Sequence, residues 1–229
     1  MRVTWRGTAD WFGTLNGQPA VLDIKTGSRN AKAHTTQLNL YGGEKLHRIV
    51  LYLKPDGYEW NTHVYNEDSR ANVVEVCARA WPKYRKAYKH LTHQGKTTFD
   101  QKNHVYRVDK MQVPSVSELI QMAGITKPFK PSEYCTEEQY KHLADVGTAV
   151  HAWIEWWELS HKGGGVPPHS AEVPAFYREH VVQWDAFKAE VGFVPEDSEV
   201  LTGGSLVLPG EVDWQLQSSW GISGRRLSC

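Results

Sequence analysis

Two aspartates and a lysine carry the first chemical signal in this chain. Asp10 and Asp23 lie in two short apolar runs, VTWRGTADWFG and AVLDIK, and Lys25 follows Asp23 with one residue between. Both runs are rich in β-branched and aromatic residues. They flank Asn16-Gly17, a pair that tolerates the positive φ of a tight hairpin. A hairpin there brings the two carboxylates together. Carboxylates that converge without an adjacent cation repel each other unless they share a proton or hold a metal, and a hard cation such as Mg²⁺ suits oxygen ligands. Side chains alternate along a strand, so Lys25 points the same way as Asp23, where an ammonium can stabilise or activate a hydroxide nucleophile. Asp-x-Lys is common on its own, and a surface hairpin with polar ends is its plainer explanation.

The elements that must hold these groups follow from local pattern. After Thr26-Gly27-Ser28 a helix is predicted over 33–46, with Gln37 and Tyr41 four positions apart on one face. Residues 47–53 read as a buried strand, Lys54-Pro-Asp-Gly as a turn, and 58–65 as the returning strand. A helix is predicted over 67–92, with Val73, Val76, Cys77, Ala80 and Tyr84 at helical spacing and Pro82 kinking it. The polar stretch 93–103 reads as a linker, and residues 104–109 as a short strand. Ser115 with Glu118, and Thr136 with Gln139, fit capping boxes. The first opens a short helix ending near Gly124. The second opens a longer helix to about His161, with Tyr140, Leu143, Val146, Val150, Trp153 and Trp157 along one stripe. Another helix spans 171–191, followed by Glu199 and a strand over 207–213.

The long helix contains GTAVHAWIE, in which His151 and Glu155 are four apart and share a face. A lone helical histidine is more often structural than a ligand.

Composition narrows the classes. At 229 residues the chain is long enough for a proper core, and ten Trp with ten Tyr make it aromatic-rich. The 26 basic and 26 acidic residues balance, so a nucleic-acid surface must be local. Lys83, Arg85, Lys86 and Lys89 are the best basic cluster, although a charged, solvated helix face is the commoner origin of such a pattern. Cys77, Cys135 and Cys229 are too few for a disulfide framework or a zinc ribbon. With no long apolar run or signal-peptide pattern, the expected location is cytoplasmic, with no membrane partner.

Taken together, G-x-x-D at Gly7–Asp10, D-I-K-T-G from Asp23, and Q-L-N-L-Y from Gln37 to Tyr41 resemble the RecB-type branch of the PD-(D/E)XK nuclease superfamily, which includes phage exonucleases. The G-x-x-x-H of Gly147 and His151 is similar to the first motif of that branch. The resemblance implies an α/β fold of the restriction-endonuclease kind, a central mixed sheet flanked by helices. It implies DNA as partner and Mg²⁺ or Mn²⁺ held by Asp10, Asp23, the Ile24 carbonyl and His151. Lys25 would serve the attacking water, with Gln37 and Tyr41 holding DNA or the site geometry.

The order of the motifs is unusual. Residues 104–214 match the first half of such a core and residues 1–92 the second, and Gly210-Glu-Val-Asp213-Trp214 repeats the form of Gly7-Thr-Ala-Asp10-Trp11. The expectation is therefore a circularly permuted nuclease core with a disordered tail over 215–229. Assembly within one chain, a swapped dimer, and a truncated fusion without turnover are the physical accounts that remain. In the first, the two G-x-x-D-W strands compete for one place in the sheet, and continuity with Asp23 favours Asp10. A homo-oligomer or a recombination partner protein fits the same resemblance.

Overall fold

Asn16 and Gly17 turn the chain with φ of 50° and 78°, both left-handed, and so start a hairpin between β1 (Arg2–Leu15) and β2 (Gln18–Lys25). A computed structural model describes residues 2–88, 96–127, 135–162, 173–208 and 212–217. After β2 come α1 (Ala31–Tyr41), β3 (His47–Lys54), β4 (Gly57–Val64) and α2 (Glu67–Ala87). The short strands β5 (Thr97–Asp100), β6 (Val105–Val108) and β7 (Met111–Val113) form a separate antiparallel sheet. Then follow α3 (Val116–Met122), α4 (Glu137–Lys162), α5 (Ala175–Val191), β8 (Phe193–Val207) and β9 (Val212–Gln217).

The main sheet is mixed and six-stranded, in the order β4-β3-β2-β1-β8-β9. Only the β2–β3 pair is parallel, because α1 carries the chain across; the other neighbours are antiparallel. Helices cover both faces. Val21, Val50 and Tyr52 pack with α1, α2 and α3, whereas Leu22, Ile24, Ile49 and Leu51 pack with α4 and α5. Burial on both faces explains the continuous apolar runs of β2 and β3. This is the α/β architecture expected, with helices flanking a central mixed sheet.

Both capping boxes form. Ser115 Oγ accepts from the Glu118 N–H at 3.1 Å, and Glu118 accepts from the Ser115 N–H at 2.7 Å. Thr136 and Gln139 exchange the same pair at 2.9 and 3.2 Å.

Several boundaries differ from expectation. The helix expected over 33–46 ends at Tyr41, where Arg48 gathers the carbonyls of Leu38, Gly42 and Gly43 at 2.8–3.1 Å. The helix expected to 92 runs through Pro82 and ends at Ala87. The stretch read as a linker carries β5, because Thr97–Asp100 pairs with β6. The fifth helix starts at Ala175 rather than 171. In place of one strand over 207–213, β8 ends at Val207 and β9 begins at Val212. Residues 215–217, expected in a tail, belong to β9, and 218–229 lie outside the described residues.

The two G-x-x-D-W strands do not compete. β1 is central, paired with β2 and β8, whereas β9 occupies the edge with Asp213 opposite Ser205.

Candidate active site

The ladder between β1 and β2 runs from Leu15↔Gln18 to Trp11↔Leu22 and stops there, one pair short of Asp10 and Asp23. The Asp10 side chain occupies the opening: its Oδ2 accepts from the Ile24 N–H at 2.5 Å. β1 also changes face at this point. Val3, Trp5 and Ala9 lie in the core under α1–α3, but Trp11 and Leu15 lie in the core under α4–α5. Strict alternation would keep these odd positions on one face, so the strand slips by one at Asp10. Across from it, between the pairs Ala9↔Val200 and Trp11↔Ser198, stands Glu199 with a left-handed φ of 49°. The carboxylates therefore sit in a fork where the sheet opens.

Each carboxylate has its own cation, contrary to the expectation that they would converge without one. Lys25 Nζ lies 2.5 Å from Asp23 Oδ2, and His151 Nδ1 lies 3.4 Å from Asp10 Oδ1. Lys25 reaches Asp23 because the two share a side of β2. His151 arrives from α4, on the turn before the buried Ile154 and after the buried Val150.

Two glycines make these approaches possible. A Cβ at Gly147 would meet Thr26 Oγ1 at 3.0 Å, so α4 lies close against the loop after Lys25. A Cβ at Gly7 would meet the Tyr41 ring and Val116 at 2.8 Å, so β1 lies close under Tyr41.

α1 supplies the support on the other side. Gln37 Nε2 donates to Asp23 Oδ1 at 3.0 Å and lies 2.5 Å from the Tyr41 hydroxyl. The i, i+4 spacing thus sets the Tyr41 hydroxyl against Gln37, and Gln37 in turn against the carboxylate. Glu155, one turn beyond His151, accepts from Ser198 Oγ at 2.5 Å and so ties α4 to β8.

The site is electrostatically tense. Burial raises the Asp23 carboxyl, Lys25 pulls it back and Asp10 pushes it up again, leaving it at about 6. Burial acts on Asp10 too, but His151, Lys25 and the Ile24 N–H outweigh it and hold Asp10 below its ordinary value. Burial would lower His151, yet Asp10 raises it to about 9. Glu199 is raised to about 7 by desolvation, then by Asp10 and Glu155. Burial, with Asp23 and Asp10, keeps the Tyr41 hydroxyl protonated.

Among the described residues no three His, Cys, Asp or Glu side chains are gathered as a formed metal cage. One observation nonetheless suits a cation. Asp23 Oδ2 is buried and, apart from the Lys25 ammonium at 2.5 Å, meets no donor among the described residues. A buried acceptor left with a free lone pair is costly unless something occupies it. With Asp10 and the imidazole of His151 alongside, the donor set fits Mg²⁺ or Mn²⁺.

Of the residues expected in the site, Asp10, Asp23, Lys25, Gln37, Tyr41 and His151 are brought together, and Ile24 enters through its N–H. Lys83, Arg85 and Lys86 lie exposed on α2, and Lys89 is outside the described residues. Sequence reasoning noted Glu199 but had no means to set it across from Asp10, since that depends on strand pairing. It passed over Arg48, although a charged residue inside a buried-strand pattern is itself a signal. No family model, curated protein or solved structure matches this chain.

Proposed function

We propose that this chain is a metal-dependent DNA nuclease, of exonuclease type, built on a restriction-endonuclease-like core whose halves are permuted within one chain. The observation that carries the reading is the meeting of His151 and Asp10 at 3.4 Å. The two residues belong to motifs that the family resemblance places in one site but that lie 141 positions apart in this sequence. The pairing of β8 with β1 along nearly their whole length supports assembly of the two halves within one chain.

In this reading Asp10, Asp23, His151 and the Ile24 carbonyl hold Mg²⁺ or Mn²⁺. When bound, the ion supplies Lewis-acid stabilisation of the charge that develops on the phosphate. The Lys25 ammonium, 2.5 Å from Asp23, orients the attacking water and favours its hydroxide form. Gln37 fixes the rotation of the Asp23 carboxylate through Oδ1, and Tyr41 holds Gln37 in place.

The test is degradation of linear DNA with Mg²⁺ by the wild type and by Lys25→Ala. Loss of at least a hundredfold in the variant is expected, on the scale of removing a preorganised charge. Equal rates would remove Lys25 from the mechanism, and no degradation by the wild type would remove the nuclease reading.

A second reading is a nuclease-fold module without turnover that binds DNA. It draws on the closure of each carboxylate on its own cation, His151 for Asp10 and Lys25 for Asp23. Binding of Mn²⁺ that depends on Asp10, Asp23 and His151 separates the two, because only the first reading requires it.

A further inference from the structure

Charge is unequally shared between the two sides of the fork. On the β8 side Asp10 faces Glu199, and Glu155 stands behind it on Ser198. On the β3 side the register sets Lys25 beside Tyr52. The Tyr52 hydroxyl lies 3.0 Å from His34 Nδ1, and the Arg29 guanidinium lies 5.7 Å from the centroid of the Tyr52 ring. Arg29 follows directly on the Thr26-Gly27-Ser28 loop that leaves the site.

Arg29 is poorly neutralised. Its side chain is 51% exposed, and its acid neighbour Glu59 is 3.8 Å away, half exposed, and already held by Lys54 at 2.6 Å. An ion pair of that kind in water contributes little. The first turn of α1 carries no acidic residue, so nothing there opposes an incoming anion. His34 contributes no charge of its own at neutral pH, since burial and Lys25 press it down to about 4. The cation on this flank is Arg29, backed by two neutral hydrogen-bonding rings.

We infer that Arg29, with Tyr52 and His34 behind it, binds the backbone phosphate next to the one being cleaved, and so sets the direction in which the strand crosses the site. The inference rests on the nuclease reading. A strand whose scissile phosphate lies at Asp10, Asp23 and Lys25 must place its next phosphates on the two flanks. Glu155 and the ionised fraction of Glu199 disfavour a phosphate on one flank. Arg29 can accept one on the other, by the bidentate geometry that a guanidinium offers an anion.

The test is binding of a fluorescent single-stranded oligodeoxynucleotide, measured by anisotropy over a range of salt with Ca²⁺ in place of Mg²⁺. Arg29→Ala should weaken binding about 5–10-fold and reduce the slope of log K against log salt by about 0.7. Arg29→Lys should restore the slope but not all of the affinity, because charge returns without the fork. Methylphosphonate placed at successive linkages should weaken wild-type binding most at one linkage, and Arg29→Ala should be indifferent at that linkage. Arg79→Ala, on the exposed side of α2 and paired with Glu75, is the control and should behave as wild type.

Unchanged affinity and slope in Arg29→Ala would overturn the subsite while leaving the nuclease reading intact. Failure of the wild type to bind any oligonucleotide would overturn both. Binding that depends on Arg29 without any cleavage in Mg²⁺ would uphold the subsite and overturn only hydrolysis.

Discussion

His151 Nδ1 stands 3.4 Å from Asp10 Oδ1, although one residue lies in the first strand and the other in the fourth helix. The contact depends on the seating of α4 against the fork in the sheet. That seating is set by Gly147 against Thr26, by Glu155 against Ser198, and by Val150 and Ile154 in the core. The imidazole and the carboxylate then perturb each other in opposite directions, upward for His151 and downward for Asp10.

That pair makes the metal-free protein sensitive to alkali. The folded-state pKa of His151 is about 9, above its ordinary 6.5. Its contribution is fully present below pH 6.5 and is lost as pH rises through 9. It amounts to no more than about 3 kcal/mol. In EDTA, Tm should fall between pH 7 and pH 9.5 in the wild type and stay flatter in His151→Gln. Parallel curves for the two proteins would show that the ion pair does not stabilise the fold.

Asp23 should govern the response to metal. At a Mn²⁺ concentration one hundred times Kd, a single site that binds only the folded state adds about 2.7 kcal/mol. The wild type should show the corresponding rise in Tm, and Asp23→Asn should show none. The amide retains the hydrogen bond from Gln37 only if it presents its oxygen, so differential scanning calorimetry without metal provides the baseline for each protein.

Gly147 should tolerate nothing branched. A Cβ there already stands 3.0 Å from Thr26 Oγ1, and Gly147→Val adds two methyl groups at that contact. Where Thr26 does not rotate away, the helix shifts at a cost of about 1–3 kcal/mol, and His151 moves with it. The ¹⁵N chemical shifts of the His151 ring should return toward those of an unpaired histidine, with its titration falling from about 9 toward 6.5. A titration still near 9 in the variant would show that the close approach is not what seats the histidine.

Arg48 should prove essential to α1. It is fully buried, donates to the carbonyls of Leu38, Gly42, Gly43 and Leu46, and lies 4.4 Å above the Tyr65 ring. Arg48→Met leaves those carbonyls without their donor beside the helix that carries Gln37 and Tyr41. A loss of about 3 kcal/mol or more is expected in urea denaturation, with Arg48→Lys intermediate because an ammonium has fewer donors. A loss below about 1 kcal/mol would mean that water replaces the guanidinium.

Much of the site was legible in the sequence because the interactions concerned are short in range. The Asn16-Gly17 turn, the capping boxes at Ser115 and Thr136, the shared side of Asp23 and Lys25, and the shared face of Gln37 and Tyr41 all follow from residues a few positions apart. Helical spacing also marked the buried face of α2, and continuous apolar runs marked β2 and β3 as buried. The stripe expected on α4 holds only in part: Val150 and Trp157 are buried, whereas Tyr140 and Leu143 are exposed. Neither helical spacing nor an apolar run says which buried face meets which. The placing of β8 against β1, the exile of β9 to the edge, the slip of β1 at Asp10, the position of Glu199 and the grip of Arg48 on α1 were decided only by the tertiary structure. Each depends on pairing or packing between segments far apart in the chain, chosen together so that both faces of one sheet are covered. The reactive groups, the elements that carry them and the shared side of Lys25 and Asp23 are local properties of the chain. The closure of His151 on Asp10 comes instead from packing between α4 and β1, which local pattern does not specify.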